Sequence, residues 1–223
     1  MFKLSFAKWL TEARQRFAPG SQSDPRYRQS TRPDMKSSGL GVMGMDYNTR
    51  VSRGRGVEEK IKEALAKQHN IHIAPASQSA DMYDKIDGFW NGQEAIQIKY
   101  RDADSANGRF DILYELIKPY DRNLPLSHQQ PGRDVKSKAQ AYVVLDPTGR
   151  MIYKIPTKMI KLLLQQAIRE FGDGPLLNSF KASNGVELKP TNDPRDGTSK
   201  IISFISPQVF QGISERFPVN IQI

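Results

Sequence analysis

The dipeptide Asn91-Gly92 constrains this chain more than any other feature. It stands between two short runs, KIDGFW (85–90) and EAIQIKYR (94–101). Asparagine and glycine tolerate the positive φ angles of a tight hairpin turn, and such a turn fixes which residues face each other across the strands. Side chains alternate along a strand. Ile96 and Ile98 therefore share one face of the second strand, and Gln97 and Lys99 share the other. The isoleucines require a core. The amide and the ammonium require partners, because a desolvated, unpaired charge is costly. Asp87 lies on the preceding strand, across the turn, so the pattern predicts Asp87 and Lys99 side by side on one face.

The rest of the chain supplies a setting for this hairpin. VEEKIKEALAKQHN carries apolar residues at 57, 61, 64 and 65, which predicts a helix from Val57 with one buried stripe. A short strand follows and ends at Pro75. FDILYELIKPY reads as a helix stopped by Pro119, and 119–137 as a polar surface loop. AYVVLDPTGRMIYKIP reads as a second hairpin around Asp146-Pro147-Thr148-Gly149, which suits a type I turn. TKMIKLLLQQAIREF predicts an amphipathic helix capped by Thr157 and ended by Gly172. GVELKP and KIISFIS read as strands, and PQVFQGISERF as a final short helix. This order predicts an α/β domain with a central mixed sheet flanked by helices.

The residues ahead of Val57 are different material. Phe2, Phe6, Trp9, Leu10, Ala13 and Phe17 recur at helical spacing, which predicts an amphipathic helix over 2–17. Residues 18–56 are rich in Gly, Ser, Pro and Arg without periodic apolar residues and read as an extended arm or linker. The expected organisation is therefore helix 1–17, basic arm 18–56 and α/β domain 57–223. The net charge is +9, and residues 1–56 hold eleven basic side chains against four acidic ones, an excess of seven. Such an arm suits a polyanionic partner, nucleic acid first. The helix suits docking on this domain or on a protein partner, ahead of a membrane surface. No apolar run approaches the ~18 residues of a membrane span. The absence of cysteine points to a reducing cytoplasm and excludes thiolate metal sites. Three histidines disfavour a zinc site, so any metal is expected to be a hard cation held by oxygens.

A hard cation fits the hairpin. Asp87, joined by Glu58 if the helix from Val57 packs beside the sheet, can gather a divalent ion; Gln97 and the Ile98 carbonyl can add neutral oxygens. A divalent ion polarises a phosphodiester and lowers the pKa of a bound water. Lys99 can orient that water and offset developing negative charge. A plain cross-strand ion pair of Asp87 with Lys99, worth about 0.2–1 kcal/mol, is the structural alternative.

The order Glu58, Asp87, Gln97-Ile98-Lys99 resembles the PD-(D/E)XK nuclease superfamily. Within it, Gly54 and Glu58 followed by Ala74-Pro75-Ala76-Ser77 and Ser79 are similar to archaeal Holliday-junction resolvases, with Gln78 where glycine is usual. IDGFW…AIQIKYR resembles Mrr-type restriction endonucleases, which also carry glutamine in the Q-x-K position. The resemblance covers about residues 52–101. It implies a restriction-endonuclease-like core, Mg²⁺ (or Mn²⁺) as cofactor, DNA as substrate and a homodimer. It makes Glu58, Asp87, Gln97 and Lys99 the catalytic set, with Glu58, Asp87 and Ile98 on the metal. Glu59 is the alternative to Glu58. Arg53, Arg55, Ser77, Ser79, Tyr100 and Arg101 are the candidate DNA contacts. Ile86 stands where the motif has proline, and Gln97 removes one carboxylate. The second departure leaves open a non-catalytic protein on the nuclease fold, a DNA-binding or bacteriophage assembly component. Asp111 and Glu115, four apart on the expected helix, read as a solvated face rather than a further metal site.

Overall fold

The computed structural model describes residues 47–100, 110–192 and 197–222, with side chains from Gly56 onward, Met82 excepted. The expected helix over 2–17 and the arm up to residue 46 lie outside the described residues.

The hairpin forms as its turn dictates. β2 (Gly88–Trp90) and β3 (Glu94–Tyr100) are antiparallel, with Gly88 opposite Ile96 and Trp90 opposite Glu94. Asn91 and Gly92 take φ angles of 48° and 72°. β1 (Ile73–Pro75) pairs with the outer edge of β2. On its other side β3 runs parallel to β5 (Ala141–Leu145), which pairs antiparallel with β6 (Met151–Pro156). β10 (Glu215–Pro218) completes a six-stranded mixed sheet in the order β1-β2-β3-β5-β6-β10. A second sheet is antiparallel: β4 (Ile112–Ile117), β9 (Ser199–Ile205), β8 (Val186–Asn192) and β7 (Phe180–Lys181).

Helices cover the faces. α1 (Tyr47–His69) lays Val57, Ile61, Ala64 and Leu65 on Ile96, Ile98, Ala141, Val143 and Leu145. Ile61 and Leu65 are fully buried, and each such side chain stabilises by about 1.5–3 kcal/mol. The opposite face of the six-stranded sheet, with Tyr142, Val144, Tyr153 and Ile155, shares a larger core with the second sheet and α3 (Thr157–Phe171). Every residue of β5 is buried, as a strand covered on both sides requires. Gln97 and Lys99 thus point away from α1, toward the side the second sheet covers.

Several elements differ from their sequence expectation. The apolar stripe marks only the packed part of α1. The backbone is helical from Tyr47, because extending a formed helix adds one hydrogen bond per residue without a new nucleus. FDILYELIKPY is strand β4, not helix: Ile112, Tyr114 and Leu116 alternate into the core, and pairing with β9 decides what a short apolar run leaves ambiguous. Asp111 and Glu115 are consequently not neighbours on a helix; Asp111 is buried. PQVFQGISERF yields only α4 (Pro207–Phe210) and a 3₁₀ turn through Ile213, then β10. Gly212 is a poor helix former, and the edge of β6 offers the chain a partner. Thr157 makes no capping hydrogen bond; the cap position is Pro156. The segment 119–137 is not a mere surface loop. It contains α2 (Arg133–Lys136), whose Asp134 is buried, and Gln129, also buried.

Candidate active site

The chain approaches β2 through Ile86, which is buried, and Asp87, one step beyond the Gly88–Ile96 pair and hence beside Gln97. The backbone N–H of Asp87 donates to the Ile96 carbonyl at 2.9 Å. Its carboxylate Oδ2 accepts from the Ile98 N–H at 2.6 Å. Burial pushes the Asp87 carboxyl up to about 6, and the nearby charge of Asp81 adds to this; the Ile98 N–H, Lys99 and Arg133 act the other way.

Glu58, on the first fully described turns of α1, is half-buried and is likewise raised, by burial first and then by the negative charges of Asp87 and Asp81. Its neighbour Glu59 is exposed and bonds Lys62 at 2.7 Å. The negative charge of Asp87 acts on Glu58. Among the described residues no three acidic or histidine side chains close into a ready metal-binding group.

Lys99 does not pair with Asp87 as the hairpin pattern predicts. Its Nζ bonds Asp134 Oδ1 at 2.7 Å and lies over the Tyr142 ring, 5.4 Å from the centroid. The reason is geometric: the Asp87 carboxylate is turned into the sheet edge to take the Ile98 N–H, while Lys99 leans toward α2. Only 18% of the lysine side chain is exposed and 1% of the aspartate's. Burial lowers the Lys99 ammonium below its ordinary range, against the opposing pull of Asp134. Burial alone raises Asp134, but Lys99, Arg133 and the hydrogen bonds to it prevail, and the carboxyl lies below the usual range.

Asp134 is the residue that sequence reasoning missed. Its second oxygen accepts from the Glu115 N–H at 2.7 Å, and its own carbonyl accepts from Tyr114 Oη at 2.9 Å. The Arg133 N–H donates to Glu115 Oε1 at 2.9 Å. Gly132 makes this seat fit, since a Cβ there would lie 2.5 Å from the Glu115 carbonyl oxygen. The signal was present but incomplete: an inward lysine demands an acid, and nothing in GRDVK says that its Asp is the one.

Two buried polar atoms adjoin the pair. Gln97 and Tyr142 are register partners, and neither Gln97 Oε1 nor Tyr142 Oη has a hydrogen-bond partner among the described residues. Gln97 stands beside one carboxylate of raised pKa, that of Asp87, and an amide oxygen with a carboxylate is the kind of oxygen pair that a hard cation takes together with its waters.

The other predicted contacts scatter. Ser77 and Ser79 are exposed and bond each other at 3.0 Å, and Ser77 Oγ accepts the Ala80 N–H, a loop-capping role. Tyr100 packs against the α1 core. Arg101 and the side chains of Arg53 and Arg55 lie outside the described residues, although the backbone at 53 and 55 is helical. No helix among the described residues is long and apolar enough to cross a membrane. No protein-family model, curated protein or solved structure matches this chain. Its function is therefore read from the chemistry of these side chains.

Proposed function

We propose that the chain is a metal-dependent DNA endonuclease on a restriction-endonuclease-like core, with Glu58, Asp87, Gln97 and Lys99 as its working set. The observation that carries this reading is the gathering of acidic and basic side chains into two separate sets. Glu58, Asp81 and Asp87 repel one another on one side, while Lys99 and Arg133 gather on Asp134. The acidic side calls for a cation and the basic side for an anion. A metal phosphodiester complex supplies both.

Glu58 and Asp87 would hold Mg²⁺ or Mn²⁺, with Gln97 Oε1 and the Ile98 carbonyl as neutral ligands. When bound, the ion would polarise the phosphodiester and acidify a water. The chain's own groups do the rest. The Ile98 N–H fixes the Asp87 carboxylate in one orientation. Asp134 keeps Lys99 charged and aimed, and the ammonium offsets negative charge that grows on the phosphate during attack. The net charge of +9 favours the encounter with DNA.

A second reading has its own support. Gln97 in place of an acid, and a lysine engaged by a buried carboxylate, suit a nuclease fold that binds DNA without cutting it. Incubation with linear, supercoiled and four-way-junction DNA, in Mg²⁺, Mn²⁺ or chelator, separates the two. Cleavage that needs metal and is lost in Asp87→Ala and Lys99→Ala is expected. Cleavage that survives both substitutions refutes this site; metal-independent binding with no cleavage on any substrate favours the second reading.

A further inference from the structure

We infer that Arg133 is the residue that grips the DNA phosphate at this site, a role the sequence pattern assigns to no residue of α2. The inference rests on the nuclease reading only in taking DNA as the source of the phosphate. Arg133 Nε lies 3.4 Å from Asp134 Oδ1, the oxygen that Lys99 Nζ contacts at 2.7 Å. The two cationic nitrogens are therefore at most about 6.1 Å apart, the sum of those distances. One phosphate can bridge such a gap with two of its oxygens, at about 2.8 Å per charge-assisted hydrogen bond. Two cations share the Asp134 carboxylate, and an incoming phosphate would give this pair a second anion to bond.

The two nitrogens are not equivalent. Lys99 is mostly enclosed and committed to Asp134, whereas the Arg133 side chain is 51% exposed. It meets Asp134 through Nε, and about half of its side chain is open to solvent, where a ligand can reach the guanidinium. That planar fork matches phosphate geometry in a way an ammonium does not. Its mount is rigid. The Arg133 N–H is bonded to Glu115, Asp134 to the Glu115 N–H, and Gly132 lies against the β4 backbone. A fixed anchor of this kind sets the register of a phosphate backbone rather than merely attracting it.

The test is fluorescence anisotropy with a labelled duplex and a labelled four-way junction, in Ca²⁺ and in chelator, alongside cleavage in Mg²⁺. Arg133→Ala is expected to weaken binding about tenfold or more, the effect of a lost charge-assisted hydrogen bond. The salt slope should fall by about one. Arg133→Lys should restore the salt slope but not the full affinity. Arg169→Ala, on the exposed face of α3, removes equal charge and should change neither. Thermal melts establish that each variant is folded. If the native protein cleaves DNA and Arg133→Ala binds and cleaves equally well, this inference fails and the nuclease reading stands. If binding depends on Arg133 but no substrate is cut, the nuclease reading fails and this inference stands. Equal loss in Arg133→Ala and Arg169→Ala also overturns it, because bulk charge then explains the effect.

Discussion

Replacing Asp87 by asparagine should stabilise the metal-free protein at neutral pH. Asparagine keeps an oxygen for the Ile98 N–H but cannot ionise, so the substitution isolates the charge. Burial raises the Asp87 carboxyl from 3.8 to about 6. At 1.36 kcal/mol per pKa unit this is at most about 3 kcal/mol of destabilisation when the group is ionised. The side chain retains some contact with solvent, so roughly 1–2 kcal/mol is the working expectation. The sign follows from linkage. The folded protein holds this proton more tightly than the unfolded chain, so the stability it confers is complete below pH 4 and is lost as pH rises through about 6. The difference between variant and native protein should therefore be near zero at pH 4 or below, open between about pH 4 and 6, and stay constant above pH 7. In melting temperature, roughly 2–4 °C per kcal/mol for a chain of this size gives a shift of several degrees. Calorimetry in chelator across this range measures it. Added Mg²⁺ should then stabilise the native protein and not the variant, closing the gap from the other side. An asparagine variant that is less stable at pH 8, or one whose difference does not vary with pH, would refute the reasoning.

Two further expectations concern the neighbours of Asp87. Asp134→Ala leaves the Lys99 ammonium enclosed without its partner and should cost about 3–5 kcal/mol in denaturant titration, whereas adding Lys99→Met should recover much of that loss. Gln97→Glu places a carboxylate where an amide oxygen stands orphaned; calorimetric titration with Mn²⁺ should show tighter binding than in the native protein, and unchanged binding would place the ion elsewhere.

The hairpin was legible because its information is local. A turn that accepts positive φ and a strict alternation suffice to set Ile96 and Ile98 on one face and Gln97 and Lys99 on the other. The stripe of α1 and the helix ended by Gly172 were legible for the same reason. Glu58 could be set against Asp87 only conditionally, because helix periodicity does not say which glutamate leans toward the sheet. β4 was misread because Ile112, Leu113, Leu116 and Ile117 fit a helical stripe as well as a strand, and its partner β9 lies some ninety residues on, as the pair Ile112–Ile205 shows. Asp134 was invisible for a related reason. Its approach to Lys99 depends on Gly132 and Glu115 meeting across β4, and no spacing in the chain encodes that meeting.

This dependence has a temporal side. In the sheet order β4-β9-β8-β7, β4 stands at the edge with β9 as its one sheet neighbour, and β9 ends at Ile205. During synthesis the platform under Arg133 and Asp134 lacks its support until β9, which ends at Ile205, has left the ribosome. Asp87 and Lys99 emerge early, but the lysine waits for its counterpart. A chain interrupted before Ser199 would carry every catalytic candidate and still lack the assembled centre.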